Sequence, residues 1–155
     1  MSLAHVQSLM AEIGSLADLM AVAEHEGEDV WSLRVDEDTI LFADLDRERG
    51  CLVLWADVGT PQPGDRARLY DLLLRYGFHW DETGGVRMAV EGQDGPVIQL
   101  VDIPLAGLDG QKLQALVRGF AAKLHAWRAI LGGGAGGDGA APVWSGPDGS
   151  FMIRG

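Results

Sequence analysis

The chain has 155 residues, 47 % of them hydrophobic and 23 % charged, which is the composition of one ordinary globular domain. A single cysteine, Cys51, excludes a disulfide scaffold and a zinc site built from clustered cysteines, and no apolar run approaches the ~18 residues that span a bilayer. A net charge of −11 sets the chain against nucleic acid and anionic membrane surfaces. No Lys or Arg precedes Arg34, so the N-terminus does not read as a secretory signal.

Helical spacing opens the chain. Val6, Leu9, Met10, Ile13, Leu16, Ala17 and Met20 recur at three and four residues and predict one helical stripe. Gly14 weakens its middle, and Glu24 to Asp29 reads as a charged turn. Three strands are predicted next. Trp31, Leu33 and Val35 alternate with Ser32 and Arg34; Thr39 to Leu45 is the second run; Cys51 to Val58 is apolar at nearly every position. Connections this short make antiparallel hairpins.

Thr60 to Gly64 ends that region. Asp65 is the expected N-cap of a short helix built on Leu69, Leu72, Leu73 and Tyr76, with Gly77 as its C-terminal stop. Val86–Glu91 and Val97–Ile103 are two further strands around a Gly92-Gln93-Asp94-Gly95 turn. Asp109 then caps the clearest helix, with Leu108 and Leu113 as a hydrophobic staple and an apolar stripe running through Phe120, Leu124, Trp127 and Leu131. Gly132 to Gly134 ends it, Ala135 to Pro142 reads as linker, and residues 143–153 regain apolar character. The order is α-β-β-β-α-β-β-α plus a tail: an α+β domain over 1–131 whose antiparallel twisted sheet carries helices packed on it, followed by 132–155.

No catalytic kit stands out. His5, His25, His79 and His125 are scattered without metal-ligand spacing. Cys51 opens an apolar strand, where a thiol is inert. Asp36-Glu37-Asp38 and Asp44-x-Asp46 lie in short strand turns and lack the glycine and distant glutamate of a calcium loop. The glycine-rich stretch follows a helix, the wrong polarity for cradling phosphate. The expectation is a protein that is not an enzyme and takes no cofactor or metal. Charge is uneven: residues 1–60 hold 13 acids and 3 bases, whereas 61–131 hold 8 of each. A partner attracted by the acidic part is basic or polar.

Order, spacing and acidity together resemble the class I type III secretion chaperones of the Tir chaperone family, over roughly residues 3–131. The resemblance rests on LRVDEDTILFADLDRERGCLVLWADVG, ARLYDLLLRYG, VRMAVEGQDGPVIQLVDIPL and LDGQKLQALVRGFAAKLHAWRAIL. It implies a cytoplasmic bacterial homodimer that holds the N-terminal segment of a secreted effector in extended form. The first helix and first strands would then supply the effector grooves, with Leu9, Ile13, Ile40, Phe42, Val53 and Trp55 as candidates. The second helix and the following strands would supply the dimer contact, through Leu69, Leu72, Leu73, Tyr76 and Met88. Ile40 shares a face with Phe42, and Val53 with Trp55; the pattern leaves open whether that face is groove or core. The runner-up is an acidic immunity-type inhibitor that covers a basic site on a folded toxin. For the tail, Val143, Trp144, Phe151, Met152 and Ile153 are expected to return to an apolar groove through the linker.

Overall fold

The computed structural model describes residues 3–132. The elements are α1 (Leu3–Leu16), β1 (Ala21–His25), β2 (Val30–Asp36), β3 (Thr39–Asp46), β4 (Cys51–Gly59), α2 (Arg66–Phe78), β5 (Arg87–Val90), β6 (Val97–Pro104) and α3 (Gly110–Leu131). The strands form one sheet in the order β1-β2-β3-β4-β6-β5. By compactness the described chain divides into two units, both discontinuous in sequence. One runs up to Ala56 and resumes over Val101–Ala121; the other comprises Asp57–Leu100 and the chain from Ala122 on. The apolar segment 143–153 of the expected tail lies outside the described residues.

In the first unit α1 runs through Gly14 and buries Val6, Leu9, Met10 and Ile13. It stops at Leu16, short of the predicted stripe, because Asp18 takes a left-handed turn (φ 52°) and Met20 Nα donates to the Arg34 carbonyl at 2.8 Å. The chain thereby enters β1, a strand absent from the expected order. The turn expected to begin at Glu24 starts only after His25, since Ala21 to His25 pair antiparallel with Val30 to Arg34. β2 and β3 pair antiparallel with a bulge between Arg34 and Asp36: Arg34 stands opposite Ile40, but Asp36 opposite Thr39. β3 and β4 continue the meander, with Phe42 opposite Trp55 and Asp44 opposite Val53.

These registers sort the side chains into two faces. Trp31, Leu33, Leu41, Ala43, Leu52, Leu54 and Ala56 are buried. Val22, opposite Leu33 on this face, meets α1 at Gly14. The α3 segment of this unit adds Leu113, Val117 and Phe120 to the buried set. Its start is capped as expected, Lys112 N–H donating to Asp109 Oδ1 at 2.8 Å. It is tied to the end of α1 by Gln114 donating to the Leu16 carbonyl and by Arg118 paired to Asp18 at 3.3 Å. At Gly110 a Cβ would come within 2.7 Å of the Glu12 carboxylate, so α1 approaches the α3 N-terminus closely there, and a larger residue would displace the Glu12 side chain.

In the second unit, Leu69, Leu73 and Tyr76 of α2 and Leu124 and Trp127 of α3 are buried, with the Tyr76 and Trp127 rings edge to face at 5.2 Å. Two expectations about α2 are corrected. Asp65 precedes the helix without a side-chain capping bond, its carboxylate lying 3.7 Å from Arg68 instead. The helix also passes through Gly77 to Phe78, with His79 as its C-cap. β5 and β6 form the expected hairpin, with Glu91 N–H donating to the Pro96 carbonyl at 3.0 Å across the turn.

Candidate functional site

A strand buries alternate residues, so a sheet covered on one side displays the other set. In the first unit the uncovered set has three cross-strand rows. Ala23, Ser32, Phe42 and Trp55 form one; Ala21, Arg34 and Ile40 the next; His25, Val30, Asp44 and Val53 the third. The β1 and β2 positions are small or polar, whereas β3 and β4 contribute Ile40, Phe42, Val53 and Trp55. Ile40 is 39 % exposed and the other three are half-buried. The Phe42 and Trp55 rings stack at 4.5 Å with planes 21° apart. This is an apolar patch on an open face, the arrangement that takes a partner's side chains.

Of the six residues expected to line grooves, the structure gathers these four on one face. Leu9 and Ile13 are buried on the inner side of α1, with no free surface in this chain. Sequence reasoning noted the alternation of Ser32 and Arg34 and read Asp44 as a turn acid, but did not place the three on the open face they share; the in-out alternation of β2 and β3 together carries that signal.

Ion pairs fix the edges of the patch. Arg47 holds Asp29 at 2.6 Å. Arg49 holds Asp46 at 2.6 Å and Asp102 at 2.9 Å, tying the β3–β4 turn to β6. Hydrogen bonds from the Arg47 guanidinium pull the Asp29 carboxyl below the usual carboxylate range. The Arg49 backbone N–H and guanidinium do the same to Asp46. Thus the acids of this turn are organised by arginines rather than gathered for a cation. Among the described residues no group of three or more His, Cys, Asp or Glu is placed to hold a metal ion, and no helix is long and apolar enough to cross a membrane. Cys51 is buried.

The second unit displays a different apolar surface. The residues expected at a dimer contact divide: Leu69, Leu73 and Tyr76 are buried within the chain, and Leu72 and Met88 are half-buried. The exposed side of α2 instead shows Leu74 and Phe78, four residues apart and 78 % and 80 % exposed, followed by Trp80 at 62 %. Beneath α2, Lys123 is buried with its Nζ 5.5 Å from the Tyr76 ring centre and 3.1 Å from the Thr83 carbonyl. Burial lowers its pKa to about 8.

A sequence profile described as the Tir chaperone protein (CesT) family matches residues 8–128. Among solved structures, the chain is similar to one in the crystal structure of the ExsC–ExsE complex. That match has 24 % identity over 83 % of this chain and 94 % of that one, with a TM-score of 0.69. It is also similar to a chain in the structure of the HopA1–SchA chaperone–effector complex, with 15 % identity over 81 % of this chain and 94 % of that one and a TM-score of 0.66. At these identities the likeness shows a shared fold. No curated protein sequence matches the chain.

Proposed function

Because the chain belongs to the Tir chaperone protein (CesT) family, we propose that it is a type III secretion chaperone, working in the bacterial cytoplasm, that lays the N-terminal segment of a secreted effector on its open sheet face. The observation that carries this reading is the patch of Ile40, Phe42, Val53 and Trp55, left uncovered on strands whose other face is filled. A second support is that the HopA1–SchA relative of the same fold was solved with an effector. Fixing an extended segment costs ~1–2 kcal/mol per residue in backbone entropy, and apolar side chains seated on such a patch offset it. The net charge of −11 keeps a protein with exposed apolar surface soluble. The chain acts as a homodimer, for which the Leu74–Phe78 stripe, flanked by Leu72 and with Met88 on β5, supplies surface left over after Leu69, Leu73 and Tyr76 have been used inside.

The test is co-expression of the tagged chain with fragments of type III effectors. Recovery of a complex with an N-terminal fragment of ~50–100 residues, lost in Phe42→Glu while its circular dichroism is unchanged, is the expected result. Recovery of the folded effector domain alone would favour an inhibitor. Light scattering at micromolar concentration should give twice the 16.6 kDa subunit mass, and Phe78→Glu should reduce it to the subunit mass.

A further inference from the structure

The open face holds two polar atoms that nothing among the described residues satisfies. Asp44 Oδ1 and Trp55 Nε1 are shielded from solvent and have no hydrogen-bond partner. They sit in adjacent rows of the patch, Asp44 opposite Val53 and Trp55 opposite Phe42. A carboxylate is an acceptor and an indole N–H is only a donor. Buried polar atoms are ordinarily paired, so an orphaned acceptor beside an orphaned donor, on a face left open by the described residues, marks where an incoming chain makes its polar contacts.

The charges on this face are also laid out lengthwise. Arg34 stands opposite Ile40 at one end of the patch, its guanidinium directed to the Glu37 carbonyl at 3.4 Å. Asp44 stands at the other end, two positions beyond Phe42 on β3. An extended peptide advances about 6.6–6.8 Å every two residues, the same repeat as β3 itself. A side chain seated over the Phe42–Trp55 pair therefore has its second neighbour over Asp44.

We propose that this face selects an extended segment carrying a basic residue, arginine above lysine, two positions from an apolar one. The basic side chain is seated on Asp44, and a backbone carbonyl of the segment accepts the Trp55 N–H. This rests on the chaperone reading above and names the chemistry of its cargo. Arginine is preferred because its planar fork matches a carboxylate and stacks on an indole face, which an ammonium does less well. An acidic residue at the same place meets Asp44 as a like charge, so the face rejects as well as selects. Arg34 at the far end disfavours the reversed segment and so sets its direction. The 13 acids against 3 bases of residues 1–60 draw a basic segment toward this part of the chain before it docks.

The probes are short labelled peptides with leucine at alternate positions and arginine, lysine, alanine or glutamate at one central inward position, titrated by fluorescence anisotropy with the full chain. The arginine peptide should bind at least about tenfold more tightly than the glutamate peptide, with lysine between. The preference should shrink as salt is raised. Asp44→Asn should bring the four peptides within about threefold of one another, and Asp44→Lys should invert the order. Trp55→Phe keeps the stacked ring and loses the N–H, so it should weaken all four alike. Equal binding of the arginine and glutamate peptides to the parent chain, with both lost in Phe42→Glu, overturns the charge assignment and leaves the binding face standing. Equal binding that survives Phe42→Glu overturns the assignment and places peptide capture elsewhere.

Discussion

β3 and β4 have two faces made from the same kinds of residue, and the two behave differently. Leu41, Ala43, Leu52, Leu54 and Ala56 are wholly buried, while Ile40, Phe42, Val53 and Trp55 on the alternate positions remain available. Hydrophobicity does not distinguish them. What does is that one face is backed by a helix, Val22 meeting α1 at Gly14, and the other carries Arg34 and Asp44 among its apolar members. A sheet apolar on both sides thus holds a folding surface and an open apolar surface a residue apart.

The sharpest way to break this contrast is to truncate neighbours. Leu54→Ala should cost ~2–5 kcal/mol, since it removes a fully buried side chain and leaves a cavity. Val53→Ala, next to it but on the open face, should cost about 1 kcal/mol or less. Urea unfolding of the two variants measures the difference, and comparable losses would show that the open face is structural.

A second prediction concerns the charge buried in the second unit. The folded pKa of Lys123, about 8, lies below its ordinary value of 10.5. The unfolded chain therefore binds this proton more tightly than the folded one. The burial penalty is present in full below about pH 8 and fades as pH rises toward 10.5. Lys123→Met should be more stable than the parent by ~1–3 kcal/mol at pH 7, and the advantage should narrow by pH 10. Denaturant midpoints taken at both pH values measure it. An advantage that does not change with pH would mean that Lys123 is not desolvated in solution.

The smallest effect is expected away from both faces. Asp109→Ala removes the capping bond to Lys112 N–H at the start of α3 and should lower stability by ~1 kcal/mol, without changing the order of peptide affinities. A change in that order would mean that α3 reaches the binding face.

Much of this organisation is legible in the residues. The α3 stripe, the Asp109 cap, the β5–β6 hairpin and the strands from Trp31 to Val58 all announce themselves through period and punctuation. β1 does not, because Ala21 to His25 has little strand character of its own and is ordered by pairing with β2. The division of the candidate site was illegible for a different reason. Leu9 and Ile13 obey the same helical period whether they face a core or a groove, and Leu69, Leu73 and Tyr76 do likewise on α2. Only packing decides which stripe is used inside and which, as with Leu74 and Phe78, is left over.

The bulge between Arg34 and Asp36 has a consequence for how this sequence can vary. Counting back evenly from the Asp36–Thr39 pair, as an unbroken hairpin would, sets Leu33 against Phe42 and turns Phe42 and Ile40 inward. The extra residue at Val35 restores Leu33 to Leu41 and sends Phe42 out. Val35 is thus a frame setting for everything downstream on β3. Closing the bulge with Val35 kept in the ladder would be the strand's equivalent of a frameshift: no residue of β3 altered, yet every one presented to the opposite side.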